Sequence, residues 1–125
     1  LIMVDGRASV ADLAKRFGLR PAGDLRCYYE PVIQALADTR GVLEVSTAGL
    51  RKDVREIYPA REMLEMAFSA GVPIVINSDA HTPGDVGADF DQALALVRGA
   101  GYRKTVRFEK RRRVEADLPE SWPPR

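Results

Sequence analysis

Apolar and polar positions alternate in two rhythms along the chain, as short apolar runs and as longer amphipathic stretches. The apolar runs occupy residues 1–4, 42–46, 72–76 and 105–109, and the amphipathic stretches occupy residues 10–17, 29–39, 60–70 and 90–97. The short runs predict strands, and the longer stretches predict helices because their apolar side chains recur with a helical period. Strands that alternate with helices predict an α/β fold of βα units around a parallel sheet or barrel. So few strands cannot close a barrel, and we expect the chain to be part of a larger domain.

Three of the predicted helices have an apolar face that we expect to be buried. The predicted buried positions are Tyr29, Ile33, Leu36 and Ala37 in the first, Met63, Leu64, Ala67 and Phe68 in the second, and Phe90, Ala93, Leu94 and Val97 in the third. Pro31 is compatible with the first of these helices if it lies in the first turn, where its missing amide proton is not needed. The connection at residues 47–59 is long and charged, which is typical of a functional loop.

The C-terminal residues predict a tail. Residues 115–125 contain Pro119, Pro123 and Pro124 and show no helical period. We therefore expect a domain at residues 1–113 and a tail at residues 114–125. Trp122 is the one large side chain that could pack this tail against the domain.

Charge and composition exclude several classes of partner. The chain has 125 residues, a formal net charge of +1 and one cysteine. The basic residues from Lys104 to Arg113 indicate a solvated edge or tail rather than a nucleic-acid surface. Cys27 cannot form an internal disulfide, which suits a reducing, cytoplasmic compartment, and a thiol in the core is favoured over a nucleophile. The apolar run at residues 1–4 is too short for a membrane span.

The most informative stretch begins in the apolar run at residues 72–76 and continues into Asn77, Asp79 and His81. Ligands bind at the carboxyl ends of strands in parallel α/β structures. If the strand persists, these three side chains project to one face, where a carboxylate and an imidazole could share a divalent metal. The alternative is that His81 caps the next helix while Asp79 satisfies amides of the loop.

Three segments resemble a known family. Ser78-Asp79-Ala80-His81, followed by residues 82–87, resembles the last metal-binding motif of the PHP family. Residues 43–52, Leu-Glu-Val-Ser-Thr-Ala-Gly-Leu-Arg-Lys, are similar to a segment of the histidinol-phosphatases in that family, as are residues 56–59, Glu-Ile-Tyr-Pro. Weaker similarity at residues 12–18 and 28–30 extends the resemblance to about residues 8–113.

The resemblance implies the C-terminal part of a distorted (β/α)7 barrel with two or three divalent ions of zinc, manganese or iron. It implies hydrolysis of L-histidinol phosphate, a small phosphorylated metabolite, by a hydroxide that the metals activate. Asp79 and His81 are then the predicted metal ligands and catalytic residues. Arg51 and Lys52 are the predicted substrate contacts, with a guanidinium fork the better match to phosphate. The alternative for Arg51 is a surface ion pair with Asp53 or Glu56.

The chain also departs from the family pattern. His81 is its only histidine, so the His-x-His motif and the other histidine ligands of the family are missing. Val10 occupies a position where the family has a ligand histidine. We therefore expect the chain to be inactive alone, with further ligands in an N-terminal part. The alternative is a degenerate PHP domain that acts as a scaffold or binds a partner.

Two further expectations follow. A PHP phosphoesterase or nuclease appended to a polymerase is disfavoured, because residues 49–52 and 56–59 resemble the histidinol-phosphatase branch. The edges of an incomplete barrel would leave unpaired backbone groups and apolar faces, so we expect self-association.

Overall fold

A computed structural model describes residues 25–123. The α-helices are α1 (Arg26–Asp38), α2 (Arg61–Ser69) and α3 (Phe90–Gly99), the strands are β1 (Leu43–Ser46), β2 (Ile74–Asn77), β3 (Lys104–Glu109) and β4 (Arg112–Asp117), and short 3₁₀ helices span Thr47–Arg51 and Pro83–Asp85. The predicted strand at residues 1–4 and the predicted helix at residues 10–17, with Val10, lie outside the described residues. No helix within residues 25–123 has the length and apolar character needed to cross a bilayer.

Strands β1 and β2 form the parallel βαβ unit that the sequence predicts. They pair in register from Leu43 opposite Ile74 to Ser46 opposite Asn77, and α2 connects them. Val45 and Ile74 on one face of this pair are fully buried. The mixed α/β class is confirmed by this unit and by the helices that pack against it.

Strand β3 does not extend the parallel arrangement. It forms an antiparallel hairpin with β4, and it contacts β2 through the Thr105 hydroxyl, which donates to the Ile74 carbonyl oxygen at 3.0 Å. Within residues 25–123 there are thus two two-stranded sheets and no closed barrel. The prediction of parallel βα units holds for β1 and β2 and is wrong for β3.

The predicted tail is also wrong for most of its length. Residues 112–117 form β4, and Leu118 is buried in the main core. The Arg98 guanidinium donates to the carbonyl oxygens of Leu118, Pro119 and Glu120. The Trp122 ring packs on Phe90 with a centroid separation of 4.9 Å. The sequence of β4 lacks an apolar run that would predict a strand, because its charged side chains occupy the solvent side of an edge strand.

Among residues 25–123, two apolar clusters form the core. The main cluster consists of Val45, Leu64, Ile74, Ala93, Leu94, Val97, Ala100, Tyr102 and Leu118, and the second, between α1 and α2, consists of Ile33, Leu36, Ala67 and Val72. Tyr102 joins them, because its hydroxyl donates to the Val72 carbonyl oxygen at 2.8 Å. Burial raises the pKa of Tyr102, so the hydroxyl keeps its proton and remains a donor.

Two helix predictions need correction. Helix α1 begins at Arg26, three residues before the predicted start, so Pro31 lies inside the helix rather than in its first turn. Phe68, predicted to be buried, is 47% exposed, whereas Leu64 and Ala67 on the same helix are fully buried. The Phe68 ring instead packs edge-on against Tyr102, with centroids 5.2 Å apart.

Candidate active site

The carboxyl ends of β1 and β2 lie side by side. Ser46, the last residue of β1, is paired with Asn77, the last residue of β2. The 3₁₀ helix Thr47–Arg51 follows β1, and residues 78–89, here called the β2 loop, follow β2. Because parallel strands end at the same edge, both segments converge where α/β proteins commonly bind ligands.

Local contacts fix the segment after β1. The Ser46 hydroxyl caps the 3₁₀ helix by accepting from the Ala48 amide at 3.3 Å. The backbone of Ser46 exchanges two hydrogen bonds with Tyr58, of 2.8 and 3.0 Å. A Cβ atom at Gly49 would lie 2.0 Å from the Glu56 carbonyl oxygen. The glycine is therefore needed to let residues 56–58 return along the strand end.

The β2 loop is closed on itself and attached to its neighbours. The buried Ser78 hydroxyl accepts from the Gly87 amide at 3.2 Å, which joins the two ends of the loop. The Thr47 hydroxyl, on a fully buried residue, donates to the Ala88 carbonyl oxygen at 2.8 Å. Gly87 has a positive φ of 71°, and a Cβ there would lie 2.8 Å from the Trp122 ring. The loop is thus held between the end of β1 and the C-terminal residues.

Arg51 reaches across to the β2 loop. Its guanidinium donates to the Ser78 carbonyl oxygen, its Nε lies 3.7 Å from Asp85 Oδ1, and its Nη1 lies 3.9 Å from Asp89 Oδ2. Arg51 therefore forms ion pairs, as the alternative predicted. Its partners are Asp85 and Asp89 rather than Asp53 or Glu56. Lys52 is exposed at the end of the 3₁₀ helix. Substrate contact by Arg51 and Lys52 stays a prediction.

The backbone turns sharply at Asp79. Strand β2 ends at Asn77, and Asp79 has a φ of 49°, in the left-handed region. The side-chain alternation of a strand therefore does not continue to His81, and the condition for a shared face at Asn77, Asp79 and His81 is not met. Asp79 and His81 are nevertheless both exposed beyond the strand end.

The geometry at His81 suits a ligand. Its Nδ1 lies 2.9 Å from the Asp79 carbonyl oxygen. Because a carbonyl oxygen only accepts, this bond places the proton on Nδ1 and leaves the Nε2 lone pair for a metal. A backbone partner for the second ring nitrogen is common among metal-ligating histidines.

The donor set in the described residues is incomplete. Within residues 25–123 no group of three or more His, Cys, Asp or Glu side chains is placed to hold a metal ion. A catalytic site ordinarily has three protein donors for one metal. Asp79 and His81 thus fit as contributors to a metal site, and the described residues do not complete one.

Sequence reasoning did not single out a polar pair on the sheet surface. The Asn77 amide donates to Glu44 Oε1 at 2.6 Å, across β1 and β2. Both residues line a cleft of about 540 Å³, which also contains Phe90, Phe108 and Trp122, and neither Asp79 nor His81 lines it. Glu44 alternates with Leu43 and Val45, so its face could be predicted, but the pairing with Asn77 depends on strand register.

The sequence is similar to two curated proteins, and no protein-family model matches it. It is 39% identical over 101 residues to a protein of Deinococcus radiodurans named probable histidinol-phosphatase, covering 81% of this chain and 38% of that protein. It is 27% identical over 70 residues to a Schizosaccharomyces pombe protein of the same name, covering 56% of this chain and 23% of that protein. The chain thus spans less than two fifths of the length of either relative. These matches confirm the resemblance to histidinol-phosphatases that the sequence motifs indicated: the chain is a relative of proteins named probable histidinol-phosphatase.

Proposed function

We propose that the chain contributes one side of the active site of a metal-dependent phosphatase that converts L-histidinol phosphate to L-histidinol and phosphate. The observation that carries the proposal is the 39% identity, over 81% of the chain, to a protein named probable histidinol-phosphatase. The proximity of four predicted site residues to adjoining strand ends supports the proposal; they are Asp79, His81, Arg51 and Lys52. Catalytic residues commonly lie at the carboxyl ends of parallel strands.

In this proposal Asp79 and His81 donate a carboxylate oxygen and the Nε2 lone pair to a divalent ion. When bound, zinc, manganese or iron polarises phosphoryl oxygens and supplies a nucleophile near neutral pH. Lys52, an exposed residue next to Arg51, would bring an ammonium to the phosphate. The Arg51 guanidinium would have to exchange Asp85 or Asp89 for the phosphate to make the same contact. Since two donors do not complete a catalytic site, we expect activity only where further donors are present.

The test is release of inorganic phosphate from L-histidinol phosphate by the protein that carries this chain, assayed with manganese, zinc or iron and with a chelator. We expect Asp79→Asn and His81→Gln each to lower kcat/KM by about a hundredfold or more, because each removes a metal ligand. Asp91→Asn, which removes an exposed carboxylate at the start of α3, serves as the matched control and leaves activity unchanged. Full activity in both ligand variants would contradict the proposal.

A second candidate is a non-catalytic relative that acts as a scaffold or binds a partner. The observation that favours it is the incomplete set of metal donors in residues 25–123. It predicts purified protein without bound metal in elemental analysis and without phosphatase activity under any metal supplement. Metal that copurifies in wild-type protein and is lost in Asp79→Asn would reject this candidate.

A further inference from the structure

Arg51 contacts the β2 loop at three separated points. It bonds the first residue of the loop through the Ser78 carbonyl oxygen, and it faces Asp85 in the middle and Asp89 at the end. The three side chains are each about one-third exposed, at 29% for Arg51, 30% for Asp85 and 33% for Asp89. A single guanidinium therefore spans the whole loop.

The chemistry of these contacts requires an arginine. A guanidinium presents several N–H donors in a rigid fork, whereas an ammonium is a point charge that cannot address three separated acceptors with the same geometry. The two carboxylates outnumber the one cation, so the loop would carry uncompensated negative charge beside Asp79 if Arg51 were absent. Arg51 both connects the loop and offsets part of its negative charge.

The contact at Ser78 acts directly on the predicted ligand residue. The Ser78 carbonyl and the Asp79 amide belong to one planar peptide group, so a bond to that oxygen fixes the plane from which Asp79 begins. Asp79 then takes a left-handed conformation that L-residues adopt rarely. Its carbonyl in turn holds the His81 ring. A chain of contacts thus connects Arg51 to both side chains.

We propose that Arg51 is a positioning residue, whose guanidinium holds the β2 loop so that Asp79 and His81 project with a fixed geometry. The hydrogen bond from Thr47 to Ala88 and the bond between Ser78 and Gly87 support the same arrangement. The bracing of the loop stands on geometry alone, and its importance for catalysis rests on the proposed function. Lys52 is then the predicted cation for the phosphate.

The first test is hydrogen–deuterium exchange of the purified chain, followed by mass spectrometry of peptides that cover residues 78–89. We expect Arg51→Ala to raise exchange in this segment about tenfold, because a hydrogen bond to a charged group is lost together with two ion pairs. Arg51→Lys should give an intermediate rate, since it retains a charge without the fork. An exchange rate of residues 78–89 in Arg51→Ala that equals the rate in the wild-type chain would overturn the proposal.

Arg61→Ala is the matched control for this experiment. Arg61 also makes one ion pair, with Glu65 at 2.8 Å, and one bond to a carbonyl oxygen, that of Gly99 at 3.2 Å. Its removal should leave exchange in residues 78–89 unchanged. A rise in that segment equal to the rise in Arg51→Ala would show general loosening of the fold and would overturn a specific role of Arg51.

The second test separates positioning from phosphate binding in a preparation that hydrolyses L-histidinol phosphate. A positioning role predicts that Arg51→Ala lowers kcat at least tenfold while KM changes less than about twofold, and that Arg51→Lys recovers part of kcat. A rise in KM with kcat unchanged would assign Arg51 to the substrate and overturn the proposal. Exchange needs no activity, so the two proposals can fail separately. If a protein that carries this chain together with the further metal donors shows the exchange result but no phosphatase activity, the proposed function is contradicted and the bracing of the loop stands.

Discussion

At the scale of single residues, Gly49 is dictated by the close return of residues 56–58. A Cβ atom there would overlap the Glu56 carbonyl oxygen at 2.0 Å and approach the Tyr58 ring at 2.9 Å. We expect Gly49→Ala to lower the free energy of unfolding by about 1–3 kcal/mol, as overpacking does in a well-packed interior. Urea denaturation provides the measurement. Gly84→Ala is the control, because a Cβ there has no neighbour within 4 Å.

Tyr102 gives a second prediction at this scale. Tyr102→Phe would remove the only polar atom of a side chain that bonds the Val72 carbonyl oxygen in a buried setting. Leaving that oxygen without its partner should cost about 1–3 kcal/mol of stability, measured by the midpoint of urea denaturation. Tyr28→Phe, on a residue that is 69% exposed, should change the midpoint little. Equal midpoints for the two variants would contradict the account of the buried contact.

The site residues show how far sequence reasoning reaches at this scale. The type of interaction at Arg51 could be predicted, but the partners suggested by proximity, Asp53 and Glu56, are not the ones observed. The position of Asp79 and His81 beyond β2 could be predicted from the end of the apolar run. The left-handed turn at Asp79 could not, because aspartate is compatible with both extended and left-handed backbone.

At the scale of elements, β4 leads directly into a residue of the core, although its own residues are exposed or only partly buried. Leu118 is 8% exposed within the main cluster. We expect Leu118→Ala to destabilise the chain by about 2–4 kcal/mol, because it removes buried apolar volume. Chemical denaturation is the measurement, with Val86→Ala as control, since Val86 is 72% exposed. A Leu118 variant as stable as the Val86 variant would restore the interpretation as a tail.

The elements differ in how clearly the sequence marks them. Helices α2 and α3 were found within one or two residues because apolar side chains recur with a helical period. The β3–β4 hairpin was missed because its turn, Lys110–Arg111, has positive φ at both residues, 46° and 66°, without the Asn-Gly or Asp-Gly signal that such turns favour. The tertiary contacts of Leu118 and Trp122 decide this region, and no local pattern shows them.

At the scale of the whole molecule, apolar surface remains exposed next to the sheet. Phe108 is 59% exposed and Trp122 is 40% exposed, and both border the cleft of about 540 Å³. Exposed apolar patches of this kind favour association. We therefore expect the purified chain to self-associate in a concentration-dependent manner in sedimentation velocity experiments, and Phe108→Lys to weaken that association. A single monomeric species at every concentration would contradict this expectation.

The proposed function depends on Asp79 and His81 contributing donors to one divalent ion beyond the end of β2. Its most direct measurement is a manganese titration of the isotopically labelled chain, followed by paramagnetic broadening of amide resonances. We predict that broadening begins at residues 78–82 and is abolished in both Asp79→Asn and His81→Gln, because each variant removes one of the two proposed donors. Broadening that is centred elsewhere, or that persists unchanged in both variants, would contradict the claim.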